Sequence, residues 1–302
     1  VCRLMEEEGI YYFFEHSAEG HKLVLGDGGA AHVASPLSPN CVYRDPTGFV
    51  TEAEFIFSLQ DAGEIQIGAT KLKDFDFTHP PLVLSGNKTG DLFTALEYSD
   101  YPGLFLTSAE GTRLATVRFE EQQCRKRVLG MSATVRGLMP GEKFTLAEHP
   151  AEALNREYLV TRIVHEARQP QSLEAEAGAG DGTRYTATAR LIPSDVTFRA
   201  PRITLKPAVR GTQTAFVVGP EGEEIYTDKY GRVKVQFHWD LDGTCNENSS
   251  CWVRVSQGMA GGQYGRLFLP RVGQEVSVAF LEGNPDQPNI TGRAANQDHM
   301  PP

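Results

Sequence analysis

The sequence has no apolar run approaching the roughly 20 residues that a membrane-spanning helix needs. Its first ten residues carry Arg3 and the consecutive acids Glu6, Glu7 and Glu8, so no signal peptide is expected there. Cysteine is sparse and odd in number: Cys2, Cys41, Cys124, Cys245 and Cys251. That argues against a disulfide scaffold and for a reducing compartment. Cys245 and Cys251 flank a hairpin-like loop and could in principle meet. Cys-x-x-Cys spacing is missing, and with it the expectation of structural zinc. Eight histidines are scattered, with no His-x-x-x-His pair and no Glu-flanked zinc motif. There is no Gly-x-Ser-x-Gly elbow. Gly26-Asp27-Gly28-Gly29 lacks the Lys-Ser/Thr of a phosphate loop and reads as a turn. On a helix, Glu6, Glu7 and Glu8 fan out round the axis, which suits a solvated face better than an acid–base pair. From these absences we expect no catalysis, no cofactor and no metal.

Positive charge is also scarce. The chain carries a formal net charge of −10. Residues 1–200 hold 28 acidic and 19 basic side chains, and residues 201–302 hold 11 and 10. Neither part has the basic footprint of a nucleic-acid binder.

What is present is patterned β-structure. A length of 302 residues suits about two domains. Pro193, Pro201 and Pro207 punctuate a stiff connection, so we place the boundary near residue 200, giving domains 1–200 and 201–302. No strand–helix alternation repeats, which disfavours a doubly wound sheet. A short helix is expected over Val1–Glu8, stopped by Gly9. An aromatic strand, Ile10–Glu15, should pair with Lys22–Leu25. Strands are also expected over Glu52–Leu59, Glu64–Leu72 and Leu92–Tyr98, with alternation at Asp74-Phe75-Asp76-Phe77. Ser108–Arg127 is the best helix, with Ser108 as N-cap and its charges solvated. Met131–Val135 and Lys143–Leu146 flank Met139-Pro140-Gly141 in a hairpin-like arrangement. Tyr158–His165 and Tyr185–Leu191 follow, separated by an Ala/Gly stretch over Glu174–Gly182.

The most strongly patterned stretch runs from Tyr226 to Gly283. After a polar turn at Asp228–Gly231, Val233, Val235, Phe237 and Trp239 alternate with Arg232, Lys234, Gln236 and His238, the period of a half-buried strand. Further strands are expected at Cys251–Val255 and Glu275–Leu281, with a Gly-rich loop over Gly258–Gly265 between them. Asn284-Pro285-Asp286-Gln287-Pro288 forces a turn. Short strands between glycine and proline turns predict a closed or part-closed antiparallel barrel, which removes exposed sheet edges. Val233, Val235, Phe237, Val276, Val278 and Phe280 should share its core.

Four ordered blocks in this stretch resemble one family. They are Asp228-Lys229-Tyr230-Gly231-Arg232 with the strand leading to Trp239; Trp252-Val253-Arg254-Val255; Pro270-Arg271-Val272-Gly273-Gln274-Glu275; and Gly283-Asn284-Pro285-Asp286-Gln287-Pro288. Their order and spacing are similar to those of the VgrG spike proteins of bacterial type VI secretion. Cys2–Tyr12 and Asp100-Tyr101-Pro102-Gly103 also resemble that family. The resemblance implies a mainly β fold with a few helices: phage tail hub-like barrel units, then an antiparallel β-barrel of oligonucleotide/oligosaccharide-binding (OB) type at the spike neck. It marks Asp228, Lys229, Tyr230, Gly231, Arg232, Trp239, Trp252, Pro270, Gly273, Glu275, Gly283, Asn284 and Pro285 as structural signature residues. It further implies a homotrimer that docks on the Hcp tube, carries a PAAR-type tip and effectors or chaperone adaptors, and touches the target membrane transiently. Such a protein is cytoplasmic before assembly and then exported through the apparatus. By the same resemblance the chain lacks the start of the hub and a C-terminal β-helix. The alternative, an oligonucleotide- or glycan-binding barrel, is disfavoured by charge.

Overall fold

A computed structural model of the chain describes residues 1–45, 53–168 and 184–301. The chain divides into two compact units, Val1–Thr204 and Leu205–Pro302. Both are mainly β, and among the described residues the α-helices number two.

The first unit opens with α1 (Cys2–Glu8), which ends at Gly9 in the left-handed region (φ 75°). Only glycine enters that region without strain. A Cβ there would also lie 2.5 Å from Val117 Cγ1. Strands β1 (Tyr11–Ser17) and β2 (Gly20–Gly26) pair antiparallel, from Tyr11 opposite Gly26 to Ser17 opposite Gly20. Period two buries Tyr11 and Phe13 and leaves Tyr12 and Phe14 outside. Tyr11 stacks on the buried His32 ring at 4.7 Å. Next come β3 (Asn40–Val42), β4 (Ile56–Gly63), β5 (Ala69–Asp74), β6 (Leu84–Thr89) and β7 (Glu97–Asp100). Helix α2 (Ser108–Gln123) precedes β8 (Arg127–Ala133), β9 (Lys143–Ala147), β10 (Glu157–Arg168) and β11 (Arg184–Pro193).

These strands form a six-stranded sheet, β3-β9-β10-β11-β8-β4, and a three-stranded one, β6-β5-β7. The larger sheet is built on Ile56, Leu129, Met131, Leu138, Phe144, Tyr158 and Leu191, all buried. The smaller packs Leu72 and Leu84 against Phe105, Leu114 and Ala115 of and before α2. Gly86 allows that approach: a Cβ there would stand 2.0 Å from the Gly111 backbone.

Several expectations need correcting in this unit. The strand expected at Glu52–Leu59 begins at Ile56 and runs through Gly63, because its partner β8 continues to Arg127 opposite Gly63; Glu52 lies outside the described residues. The next strand is Ala69–Asp74 rather than Glu64–Leu72. Leu92–Tyr98 is mostly turn: Phe93 is left-handed (φ 54°), and Leu96 N–H bonds its carbonyl at 2.8 Å. Only Glu97–Asp100 pairs, in parallel with β5. Asp74–Phe77 leaves the sheet after Asp74, whose Oδ2 accepts from Leu104 N–H at 2.5 Å. The cap of α2 is Thr107, not Ser108: Thr107 Oγ1 accepts from Glu110 N–H, and Glu110 Oε2 accepts from Leu106 N–H, both at 3.2 Å. Strands β8 and β9 do not form a hairpin, since β10 and β11 stand between them. The stretch Glu174–Gly182 lies outside the described residues.

The second unit contains β12 (Gln213–Val218), β13 (Lys234–Phe237), β14 (Arg254–Val255), the hairpin β15 (Met259–Gly261) and β16 (Tyr264–Arg266), β17 (Glu275–Phe280) and β18 (Pro288–Arg293). Five of these run β13-β12-β17-β18-β14. A bridge between Val233 and Val253, with reciprocal N–H···O bonds of 3.0 and 2.8 Å, joins the first strand to the last. The sheet therefore closes into a five-stranded barrel. One pair, β14 with β18, is parallel, so the barrel is not wholly antiparallel. Inside lie Ala215, Val217, Val233, Val235, Val253, Val276, Val278 and Ile290. Phe237 and Phe280 sit at the core's edge, their rings stacked at 5.9 Å.

Three features differ from the pattern reading. The strand stops at Phe237, where Asp240 N–H turns back to the Phe237 carbonyl at 3.2 Å, leaving Trp239 64% exposed. Gln236, expected outside, is buried, its amide donating to Asp240 Oδ2 at 2.9 Å. The Gly258–Gly265 stretch is part of the β15–β16 hairpin rather than a plain loop.

Candidate functional site

The signature residues hold turns. In the first, Asp228 Oδ1 accepts from the N–H groups of Tyr230 (3.0 Å) and Arg232 (2.9 Å), while Oδ2 accepts from Arg232 Nε at 2.8 Å. Gly231 closes the turn with φ 70° and donates to the Asp228 carbonyl at 3.0 Å. Lys229 Nζ and the Arg232 guanidinium lie over the Tyr230 ring at 4.9 and 5.6 Å, within cation–π range. Burial alone would raise the Asp228 carboxyl, but the hydrogen bonds from Arg232 and Tyr230 outweigh it and hold its pKa below the usual carboxylate range.

The second turn begins at Pro270, which is buried. Gly273 (φ 88°) donates to the Val217 carbonyl at 2.9 Å, and Glu275 accepts from Asn296 Nδ2 at 3.1 Å. The third turn is closed by Asn284: its N–H bonds Leu281 O at 2.9 Å, its carbonyl accepts from Gln287 N–H at 3.0 Å, and its Oδ1 accepts from Asp286 N–H at 3.1 Å. Gly283, with φ 74°, precedes it, and Pro285 occupies its second position.

Strand register shows which turns come together. Val218 faces Lys234, and Phe216 faces Glu275, so Asp228–Arg232 and Pro270–Glu275 share one end of the barrel. A Cβ on Gly231 would touch Leu269 Cδ2 at 3.2 Å. Gln213 faces Val278, and Phe280 faces Pro288, which places Gly283, Asn284 and Pro285 at the other end. Trp239 is at that second end, stacked on Phe237 at 5.1 Å and donating from Nε1 to Gln213 at 2.9 Å. Trp252 precedes the closing bridge, 5.0 Å from the Tyr226 ring and beneath Lys234 at 5.3 Å.

In the first unit, sequence reading missed a buried ionic cluster. Arg118 and Glu121, expected on a solvated face of α2, are 6% and 7% exposed and bond at 3.0 Å. Arg118 also donates to the Glu6 carbonyl at 3.2 Å and to the Glu7 carbonyl. It thus caps the C-terminal carbonyls of α1, of which that of Glu6 otherwise receives only a long bond from the Gly9 N–H at 3.4 Å. Arg199 serves the Gly9 carbonyl at 2.9 Å and Glu120 at 2.8 Å. Glu6, Glu7 and Glu8 each find a separate partner: the Ile203–Thr204 backbone, Arg3 and Arg113. The charges at i and i+3 on one face were legible; that they face another helix was not.

Reactive chemistry is poorly served. All five cysteines are free thiols, including Cys245 and Cys251. Burial pushes the Cys41 thiol up to about 12 and the Cys124 thiol up to about 11, so neither is a thiolate near neutrality. Among the described residues no three His, Cys, Asp or Glu side chains converge as a metal cage, and no helix is long and apolar enough to cross a membrane.

A sheet-built unit followed by a small closed barrel with these turns defines a class, the baseplate proteins of contractile injection machines. Residues 1–171 match the phage tail baseplate hub family, and residues 221–294 match the type VI secretion system/phage-baseplate injector OB domain. The chain belongs to the VgrG family of type VI secretion spike proteins. It is 43% identical over 305 residues to spike protein VgrG1b of Pseudomonas aeruginosa, covering 100% of this chain and 41% of that protein. It is equally similar, 43% over 305 residues, to VgrG1a of the same organism, covering 100% of this chain and 47% of that protein. The chain thus spans less than half the length of these relatives. In fold it is similar to the E. coli c3393 protein, described as a type VI secretion component resembling bacteriophage T4 tail proteins. That likeness has a TM-score of 0.57 at 20% identity, over 97% of this chain and 58% of that one. The fold class expected from the signature blocks, mainly β with a few helices and an OB-type barrel after hub-like units, holds. The alternative of an oligonucleotide- or glycan-binding barrel is not favoured.

Proposed function

We propose that the chain is the hub-and-neck portion of a type VI secretion spike with a structural role and no catalysis of its own. Residues 1–200 would form the hub part that caps the Hcp tube. Residues 201–302 would form the neck, leading towards a β-helix needle and a PAAR-type tip. Three copies would surround the tube axis, and effectors or chaperone adaptors would travel with them. The protein would be made in the cytoplasm and leave through the apparatus, touching the target membrane transiently. On this reading the signature residues act as scaffolding, because each is placed at a barrel turn or beside its closing bridge.

The observation that carries the proposal is the presence in one chain of a baseplate hub match followed by an injector barrel match. The net charge of −10 supports a protein partner over nucleic acid. The test is deletion of the gene in a type VI-active strain lacking other VgrG copies. Hcp should vanish from the culture supernatant and return on complementation; unchanged Hcp export refutes the proposal.

A further inference from the structure

The β1–β2 hairpin carries a feature that spacing in the chain conceals. His16 and His21 are five positions apart, but the antiparallel register makes them direct cross-strand partners. Their rings meet at a centroid distance of 4.8 Å, and Nδ1 of His16 stands 2.8 Å from Nδ1 of His21. Two N–H hydrogens cannot occupy that gap, so at least one nitrogen presents its lone pair to the other. Both residues are exposed. The pair is held in place on both sides. The Ser17–Gly20 turn closes one side, where Ser17 Oγ bonds the Gly20 carbonyl at 3.2 Å. On the other, Lys22 pairs with Glu15 at 3.0 Å, and the Phe14 ring stacks on His16. The two histidines and Glu19 line a surface groove of about 540 Å³.

We propose that His16 and His21 chelate one divalent transition-metal ion of the Ni²⁺–Cu²⁺ type. Imidazole nitrogens bind such ions at about 2.0 Å, so two adjacent nitrogens of a square-planar site lie about 2.8 Å apart. A tetrahedral zinc site would spread them to about 3.3 Å. The observed separation matches the square-planar arrangement with both strands in place, and rotation of the two rings turns the Nδ1 atoms from one another to a shared ion. On binding, the ring that donates within the pair shifts its proton from Nδ1 to Nε2, and each Nδ1 lone pair then meets the metal. Water completes the coordination in the groove beside Glu19. The ion would clamp the end of a two-stranded hairpin, an element that is only marginally stable without help. This inference does not depend on the spike reading, and its failure would leave that reading intact.

Titration of the full chain with NiCl₂ or CuSO₄ by calorimetry tests it. One ion per chain should bind and raise the melting midpoint. His16→Asn and His21→Asn should each weaken binding about tenfold or more and abolish the rise, while His238→Asn should change neither. Equal affinity in the native chain and both variants overturns the proposal. The Cu²⁺ electron paramagnetic resonance spectrum of the native chain decides independently of any variant: two imidazole nitrogens in the equatorial plane are expected, and one or none refutes the site.

Discussion

Gly9 and Asp228 show how single residues set the two units. Gly9 combines a left-handed backbone with a side-chain-free approach to Val117, so Gly9→Ala meets both strain and collision. A loss of about 2 kcal/mol or more is expected in denaturant melts. Asp228 folds its turn by accepting from two backbone N–H groups and from Arg232. Asp228→Asn keeps an acceptor but loses the charge, with an expected cost of about 1 kcal/mol at neutral pH. The folded carboxyl has a lowered pKa, so its contribution is present above the unfolded value of about 3.9 and is lost as pH falls through the folded one. Melting midpoints of the native chain and Asp228→Asn should therefore converge below about pH 4; a constant gap would show that the charge is not what stabilises the turn.

At the scale of elements, the α1–α2 contact depends on a buried ion pair. Arg118→Ala takes one of two arginine partners from Glu121, which keeps Arg202 at 3.4 Å, and removes the side-chain donor to the Glu6 and Glu7 carbonyls, at a cost of about 2–3 kcal/mol. Adding Glu121→Gln should recover none of that loss, because Arg202 still pairs with the Glu121 carboxylate; recovery would show that Arg118 alone compensates the buried charge. In the barrel, Phe237 sits between Trp239 and Phe280 at the rim rather than in the sealed core. Phe237→Ala should cost about 2 kcal/mol, below the roughly 3–5 kcal/mol of a fully buried phenylalanine. Urea denaturation distinguishes these values.

For the whole molecule, the homotrimer belonging to the proposed function makes a physical demand. A closed ring repeats one heterologous interface, and its acidic subunits repel, so the contacts must be apolar or locally paired. The β1–β2 hairpin offers one apolar face, Tyr12 opposite Leu25 and Phe14 opposite Leu23, each about half exposed. Light scattering at high concentration should give three times the 33.2 kDa chain mass. A persistent monomer would place the trimer contacts outside this chain, and a stable dimer would contradict the symmetry argument.

The sequence by itself determined what depends on neighbours along the chain. Gly9 at the end of the first helix, the aromatic alternation at Tyr11–Phe14, and the turns at Asp228–Gly231 and Asn284–Pro288 were legible because backbone strain, period two and local hydrogen bonds act within a few residues. The ordered turn blocks carried the family for the same reason. Only the tertiary structure decided what depends on distant partners. Gln213–Val218, hidden behind a proline-rich connection, becomes a central barrel strand because two other strands pair with it. Trp239 leaves the apolar face because the chain turns at Phe237, and Arg118 leaves the solvent because α1 ends against it. His16 and His21 become neighbours through strand register alone. Local conformational energy decides where a chain turns; burial, charge pairing and ring closure are settled only when segments far apart in sequence compete for the same space.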